Sequence, residues 1–201
     1  MKVLVACEFS GVVREAFRAR GYDARSCDLL PSEQEGPHYQ CDVLTLLDLG
    51  WDLMIAHPPC TYLTNAGVRH LHDHVASKHG VRTAIFGAAR WIELGYAAQF
   101  FCTLKNAPIP RICVENPIPH RYARAWIGYY DQLIQPWQFG HGETKATCLW
   151  LKGLPKLVPT NIVEGRDPKC FHTPQSPERW KIRSRTYQGI ADAMADQWGS
   201  L

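Results

Sequence analysis

The sequence has no excess of one charge, no long apolar run, no paired cysteines and no dinucleotide fingerprint, and each absence removes a class of function. With 22 Lys and Arg against 19 Asp and Glu, the formal net charge is only +3, so no general basic field announces a nucleic-acid partner, although local patches remain open. No apolar stretch is long enough to span a bilayer, and Met1, Lys2, Val3, Leu4 and Val5 enter a strand-like run instead of a signal peptide. A soluble, cytoplasmic protein with no membrane partner is expected. The eight cysteines are spread from Cys7 to Cys170 without a C-x-x-C pair, which points to reduced thiols and away from a disulfide framework. Cys170-Phe171-His172 and the alternation of His70, His72 and His74 also lack the paired spacing of a zinc site, and no metal is expected. G-x-G-x-x-G is missing, with only Gly11 in the first turn, which disfavours a pyrophosphate-bearing cofactor.

What is present is an alternation of short apolar runs and helical patterns. At 201 residues the chain can bury one good core. Val3, Leu4, Val5 and Ala6 form a buried strand; Cys7-Glu8-Phe9-Ser10-Gly11 turns into a helix with Val13, Ala16 and Phe17 on its apolar face and Gly21 as its stop. A second strand spans 23–27 and ends on Asp28. Residues 29–39 form a polar loop with Pro31, Gly36 and Pro37, and Cys41-Asp42-Val43 ends a third short element. A buried strand over 51–56 follows, and Ile85, Ala89, Ile92, Tyr96, Phe100 and Leu104 predict a long amphipathic helix over 82–105. Another apolar run, Ile112-Cys113-Val114, comes next. This is the pattern of an α/β domain with a mostly parallel sheet.

Two of these strand ends carry chemistry. Pro58-Pro59-Cys60 follows Leu53-Met54-Ile55-Ala56, and Glu115-Asn116-Pro117 follows the run at 112–114. Ligands of open parallel sheets sit at the carboxyl ends of the strands. The prolines limit the backbone ahead of Cys60, so its thiol is presented with little freedom. A lone cysteine is usually a small buried hydrophobe. A cysteine and a carboxyl group delivered to one sheet edge form a nucleophile and a proton-exchanging partner. The first turn and the acidic second strand end also suit a nucleoside cofactor, with Gly11 allowing close approach and Asp28 able to accept from ribose hydroxyls.

Phe9-Ser10-Gly11, Asp28, Cys41-Asp42-Val43, Pro58-Pro59-Cys60 and Glu115-Asn116-Pro117 follow the order and rough spacing of the DNA cytosine-5 methyltransferases, and the chain resembles a compact, phage-type member. The resemblance covers residues 3–117 well and continues loosely through Lys145-Ala146-Thr147-Cys148-Leu149-Trp150 to residues 184–198. It implies a Rossmann-like S-adenosylmethionine-dependent methyltransferase fold. S-adenosyl-L-methionine would be the methyl donor, bound by Phe9, Gly11, Asp28 on the ribose, Asp42 near the adenine, Pro58 and Thr186. It further implies DNA as partner, with a flipped cytosine attacked at carbon 6 by Cys60 while Glu115 engages ring nitrogen 3, and with Asn116 and Lys145 on the substrate.

The sequence departs from the family at several points. Val12 and Val13 stand where a second glycine is usual, and Pro117 where valine is common. The arginine-bearing motif is not reproduced between Gln138 and Thr147, where only Lys145 is basic, and an ammonium does not copy a bidentate guanidinium. The large target-recognition domain is reduced to residues 152–183, a proline- and glycine-rich stretch with Lys156, Arg166, Lys169, Arg179, Lys181 and Arg183. The expected layout is a core over 1–151, this short recognition-like region, and a C-terminal helix over 184–201 that packs back through Ile190, Met194 and Trp198. A binding protein that has lost catalysis, and a transferase on RNA or a free nucleotide, stay open beside the DNA enzyme.

Overall fold

Strands buried on both faces read as continuous apolar runs, and the runs of this chain line up as the middle of one seven-stranded sheet. The computed structural model describes residues 1–72 and 86–201. Its strands are β1 (Lys2–Ala6), β2 (Asp23–Asp28), β3 (His38–Gln40), β4 (Leu53–Ala56), β5 (Arg111–Pro117), β6 (Gln132–Ile134) and β7 (Thr147–Lys152). Their order is β3-β2-β1-β4-β5-β7-β6. The five from β3 to β5 are parallel, and β7 runs antiparallel to both β5 and β6. The helices are α1 (Val12–Arg18), α2 (Gly87–Lys105), α3 (Arg121–Ile127), α4 (Lys169–His172), α5 (Arg179–Ser184) and α6 (Gln188–Trp198). The architecture is a Rossmann-like α/β domain.

The period of two along each strand divides the core into two layers. Leu4, Ala6, Met54, Ala56, Ile112 and Val114 share a cluster with Leu94 and Phe101 of α2 and Ile127 of α3. Val3, Val5, Leu53, Ile55 and Cys113 share the other with Val13 and Phe17 of α1 and Met194 and Trp198 of α6. Ile190, Met194 and Trp198 of α6 are buried in this second cluster. No helix among the described residues is long and apolar enough to cross a membrane.

Three local expectations are corrected. The face of α2 is only partly the one the apolar spacing suggested: Leu104 is buried as expected, but Ile92 and Tyr96 are exposed, and Leu94, Ala98 and Phe101 are buried instead. Steps of four residues advance a position by about 40° around a helix of 3.6 residues per turn, so the chosen set winds off any single face. Residues 82–85 of that expected helix lie outside the described residues. The loop after β2 is shorter than expected, since His38 and Tyr39 belong to β3, and Asp42 caps a 3-10 turn (Val43–Leu46) through its bond to Leu44 N–H instead of ending a strand.

The polar loop between β2 and β3 is ordered by a cation that helical periodicity does not reveal. Arg14 is fully buried; its guanidinium pairs with Glu15 at 2.7 Å and donates to Ser26 Oγ, Ser32 Oγ and the carbonyls of Gln34 and Glu35 at 2.9–3.0 Å. Every donor direction of the planar fork is used. Gly11, at φ +75°, precedes α1, and a Cβ there would lie 2.8 Å from the Arg14 guanidinium and 3.1 Å from Gln34 Cβ. The glycine is required by this packing.

A second close approach seats α6. A Cβ on Gly189 would lie 1.9 Å from the carbonyl oxygen of Phe139, and the Gly189 N–H donates to His141 Nε2 at 3.1 Å. Gly189→Ala is expected to lower the urea midpoint by an amount equivalent to about 1–3 kcal/mol or more, as overpacking does. Gly95→Ala on α2, whose Cβ would make only an ordinary 3.6 Å contact with Trp126, is expected to leave the midpoint unchanged or raise it by up to about 1 kcal/mol through helix propensity. Equal midpoints for the two variants would refute the close-packing account.

Candidate active site

The strand order reverses direction between β1 and β4: from β1 the chain builds outward to β2 and β3, and from β4 to β5. Such a switch point opens a crevice at the carboxyl ends of the strands. The turn after β1 supplies one wall of a cavity of about 90 Å³, the turn after β4 brings Pro58 and Cys60, and β5 brings Glu115. The far wall is residues 183–186, which return across this edge ahead of α6. Of the residues singled out in the sequence, Phe9, Pro58, Cys60, Glu115, Lys145 and Thr186 meet here.

The turn after β1 is tightly determined. Cys7 has φ +57°, the left-handed region that a side chain rarely adopts, and the reversal aims Glu8 back at the start of α1. Glu8 is buried and accepts from Val13 N–H at 2.7 Å, Arg14 N–H at 3.2 Å and the Ser10 hydroxyl at 3.3 Å. Burial pushes its carboxyl above the usual range, against the pull of His57 and of those two N–H groups. The chain's own carboxylate thus fills the helix N-terminus that could otherwise hold a phosphate. Burial, then the charges of Asp28, Cys27 and Asp42, hold the Cys7 thiol far above the ordinary value.

Asp28 and Asp42 gather on that Cys7 side and do not line the cavity with Cys60 and Glu115. Each carboxylate caps a turn, Asp28 accepting from Leu30 N–H at 2.9 Å and Asp42 from Leu44 N–H at 3.0 Å. Asn116 is turned away altogether. β5 runs on through Pro117, so Glu115 and Asn116 point to opposite faces of the sheet. Asn116 is 1% exposed, donates to the Pro117 carbonyl at 2.5 Å, and lines no cavity found at the site.

His57, absent from the sequence-derived set, is the partner that Glu115 has. Its Nδ1 lies 2.8 Å from Glu115 Oε2, and the two side chains are only 10% and 13% exposed. Burial works to raise the Glu115 carboxyl, but the His57 hydrogen bond and charge, with Lys145 behind them, prevail and hold it below the usual carboxylate value. Cys60 is affected in the opposite sense. Burial, then the Glu115 charge, raise its thiol, and Lys145 and Arg183 pull it down. Arg183, a basic residue of the sequence with no assigned role, therefore belongs to the site.

Beyond Cys60 the cavity meets a groove of about 860 Å³. Arg90, Lys145, Arg179 and Arg183 line it together with Tyr62, Phe171 and Trp180, and no carboxylate lines it among the described residues. Phe171 and Trp180 are 73% and 52% exposed. Trp180 also packs on Phe9, with ring centroids 5.7 Å apart, and so spans both spaces. The returning strap is tied down by Arg185, whose guanidinium holds Glu33 through two bonds of 3.0 and 2.8 Å, and by Lys145 Nζ donating to the Arg185 carbonyl at 2.9 Å.

No family model matches the chain, and no curated protein matches it. Among solved structures, a prophage-encoded E. coli protein assigned as a DNA modification methyltransferase is similar over 87% of this chain and 55% of its own, with 13% identity and a TM-score of 0.48. The chain spans about half the length of that protein.

The opposed charges on Cys60 set a measurable order. Because the Glu115 carboxylate raises the thiol and Lys145 lowers it, Glu115→Gln is expected to move the pH midpoint of Cys60 alkylation by iodoacetamide to lower pH, and Lys145→Met to move it higher. Peptide mass spectrometry separates Cys60 from the other seven cysteines. Coincident midpoints in all three proteins would show that these groups do not share a field.

Proposed function

We propose that this protein is an S-adenosylmethionine-dependent methyltransferase acting on carbon 5 of cytosine in DNA. The observation that supports it most is the meeting of Cys60 and Glu115 in one cavity at the switch point, next to a groove lined by four cations and three aromatic rings. A thiol beside a carboxylate suits nucleophilic addition to an electron-poor ring coupled to proton exchange. Cations suit phosphates, and exposed rings suit the faces of unstacked bases.

The residues fit the donor. It carries no phosphate, and the helix N-terminus that a phosphate would want is filled by Glu8. The cavity of about 90 Å³ is too small for the whole molecule, so it would take the reacting end, with Phe9 and Pro58 beside it and the Thr186 hydroxyl available to a carboxylate. The nucleoside would extend toward Asp28 and Asp42, past Gly11 in the turn after β1. When bound, the donor supplies an electrophilic methyl group.

The chain's own residues would prepare the acceptor. Phe171 and Trp180 hold the extruded base and its neighbours by stacking, and Arg179 and Arg183 hold flanking phosphates, which makes residues 152–183 the recognition segment. The Cys60 thiolate adds to carbon 6, Glu115 exchanges a proton with nitrogen 3, and carbon 5 becomes nucleophilic. After loss of the carbon-5 proton, expulsion of Cys60 restores the ring. Lys145 steadies both the thiolate and Glu115 from the edge of the substrate groove; Asn116 supports the strand from its opposite face.

DNA carrying 5-fluorocytosine is expected to trap the protein as a denaturation-resistant adduct in the presence of donor, because fluorine replaces the proton whose loss frees the cysteine. The adduct should map to Cys60, vanish in Cys60→Ser, and form faster at a mispaired or single-stranded target, where extrusion costs up to a few kcal/mol less. Trp180→Ala should weaken binding of the oligonucleotide by about 5- to 150-fold, the scale of one lost base stack at 1–3 kcal/mol. Labelled donor offered with DNA, RNA and dCTP identifies the cytosine carrier. Donor binding without transfer to any of them would establish a catalytically silent protein instead.

A further inference from the structure

Parallel register makes His57 and Glu115 neighbours. The ladder between β4 and β5 pairs Ile55 with Cys113 and Ala56 with Val114, so the next positions, 57 and 115, stand side by side and face the same layer. Their contact is 2.8 Å between Nδ1 and Oε2. His57 Nε2 is buried with no protein partner, so the imidazole is held on its Nδ1 side alone. The other charged and titratable groups around it are Cys7 and Glu8 from the turn after β1, Cys60 after the prolines, Lys145 ahead of β7, and Arg183, Arg185 and Tyr187 ahead of α6. Lys145 makes no ion pair with Glu115 within 4.0 Å, and one of its three donors goes to the Arg185 carbonyl. Tyr187 is likewise engaged, donating to Glu143 at 2.6 Å.

We infer that His57 is a positioning residue that stores the proton Glu115 delivers to the substrate. In the resting site the proton sits on His57 Nδ1, between imidazolium and carboxylate. This assignment rests on the methyl-transfer reading above. When the Cys60 thiolate forms its bond to carbon 6, the electron pair displaced from the carbon 5–carbon 6 double bond is accommodated as the His57 Nδ1 proton passes to the Glu115 carboxylate and from that carboxyl group to nitrogen 3. His57 is left neutral and Glu115 is a carboxylate again. When the cysteine leaves, nitrogen 3 gives its proton back by the same route, so His57 and Glu115 end as they began. A carboxylate alone could accept from the cytosine amino group but has no proton for nitrogen 3.

Arginine separates the two parts of this role, because it carries the charge and cannot give up a proton. Following the Glu115 carboxyl by carbon-13 NMR, His57→Gln is expected to raise its titration midpoint and His57→Arg to return it toward wild type. Single-turnover transfer to a cytosine oligonucleotide is expected to fall about 100-fold in both variants, the scale of one acid–base group, with donor affinity by calorimetry unchanged. An unmoved Glu115 midpoint in His57→Gln would overturn the pairing. A wild-type rate in His57→Arg would overturn the proton store while leaving methyl transfer intact. A wild-type protein that binds donor yet methylates no cytosine carrier would overturn the parent reading and this role with it.

Discussion

Everything at this site depends on the reversal of strand order between β1 and β4. Two neighbouring parallel strands whose continuations diverge cannot close the space above their ends, and no side chain has to be sacrificed to make a crevice there. The burial of both sheet faces then fixes which residues look into it. Because Ile55 and Cys113 belong to the α1 and α6 layer, His57 and Glu115 must follow them, two residues on, and the same arithmetic sends Asn116 to the opposite layer. The chemistry inherits its geometry from core packing.

The electrostatics of the resting site are conservative. Two buried carboxyl groups, Glu8 and Glu115, lie on either side of His57 in its electrostatic field, one spent on a helix start and the other free to meet a ligand. The thiol at Cys60 is pushed up by burial and by the Glu115 charge. A thiol kept protonated resists adventitious oxidation, and the two side chains that pull Cys60 down, Lys145 and Arg183, also line the neighbouring groove. Cys7, Cys27, Cys113 and Cys148 are packing residues whose thiols burial pushes up, out of the reactive range.

Much of this was legible in the sequence. Cys60 and Glu115 could be found because each follows an apolar run that can only be a buried strand, and the strand-end rule then brings them together. His57 could not, since a single histidine before two prolines has no spacing signal; it becomes visible only once Ala56 is paired with Val114. Arg14 was hidden for a similar reason, because an arginine in a helix is ordinarily solvated and its burial depends on a loop twenty residues away. β6 and β7 escaped notice because one has three residues and the other reverses direction. Asn116 could have been read correctly had β5 been extended through Pro117, for then the period of two decides its face.

The roof of the cavity comes from residues 183–186 while its floor comes from residues 7–10, 58, 60 and 115. During synthesis the floor is made first. At 5–20 residues per second, a ribosome needs about 6–25 s to travel from Cys60 to Thr186. For that interval the nascent chain carries its cysteine at the end of a strand with neither strap nor Trp180 above it, and any ligand that relies on the strap for binding must wait for the last helix to dock. The cavity is therefore closed late, once residues 183–186 have been made and laid across strand ends formed long before.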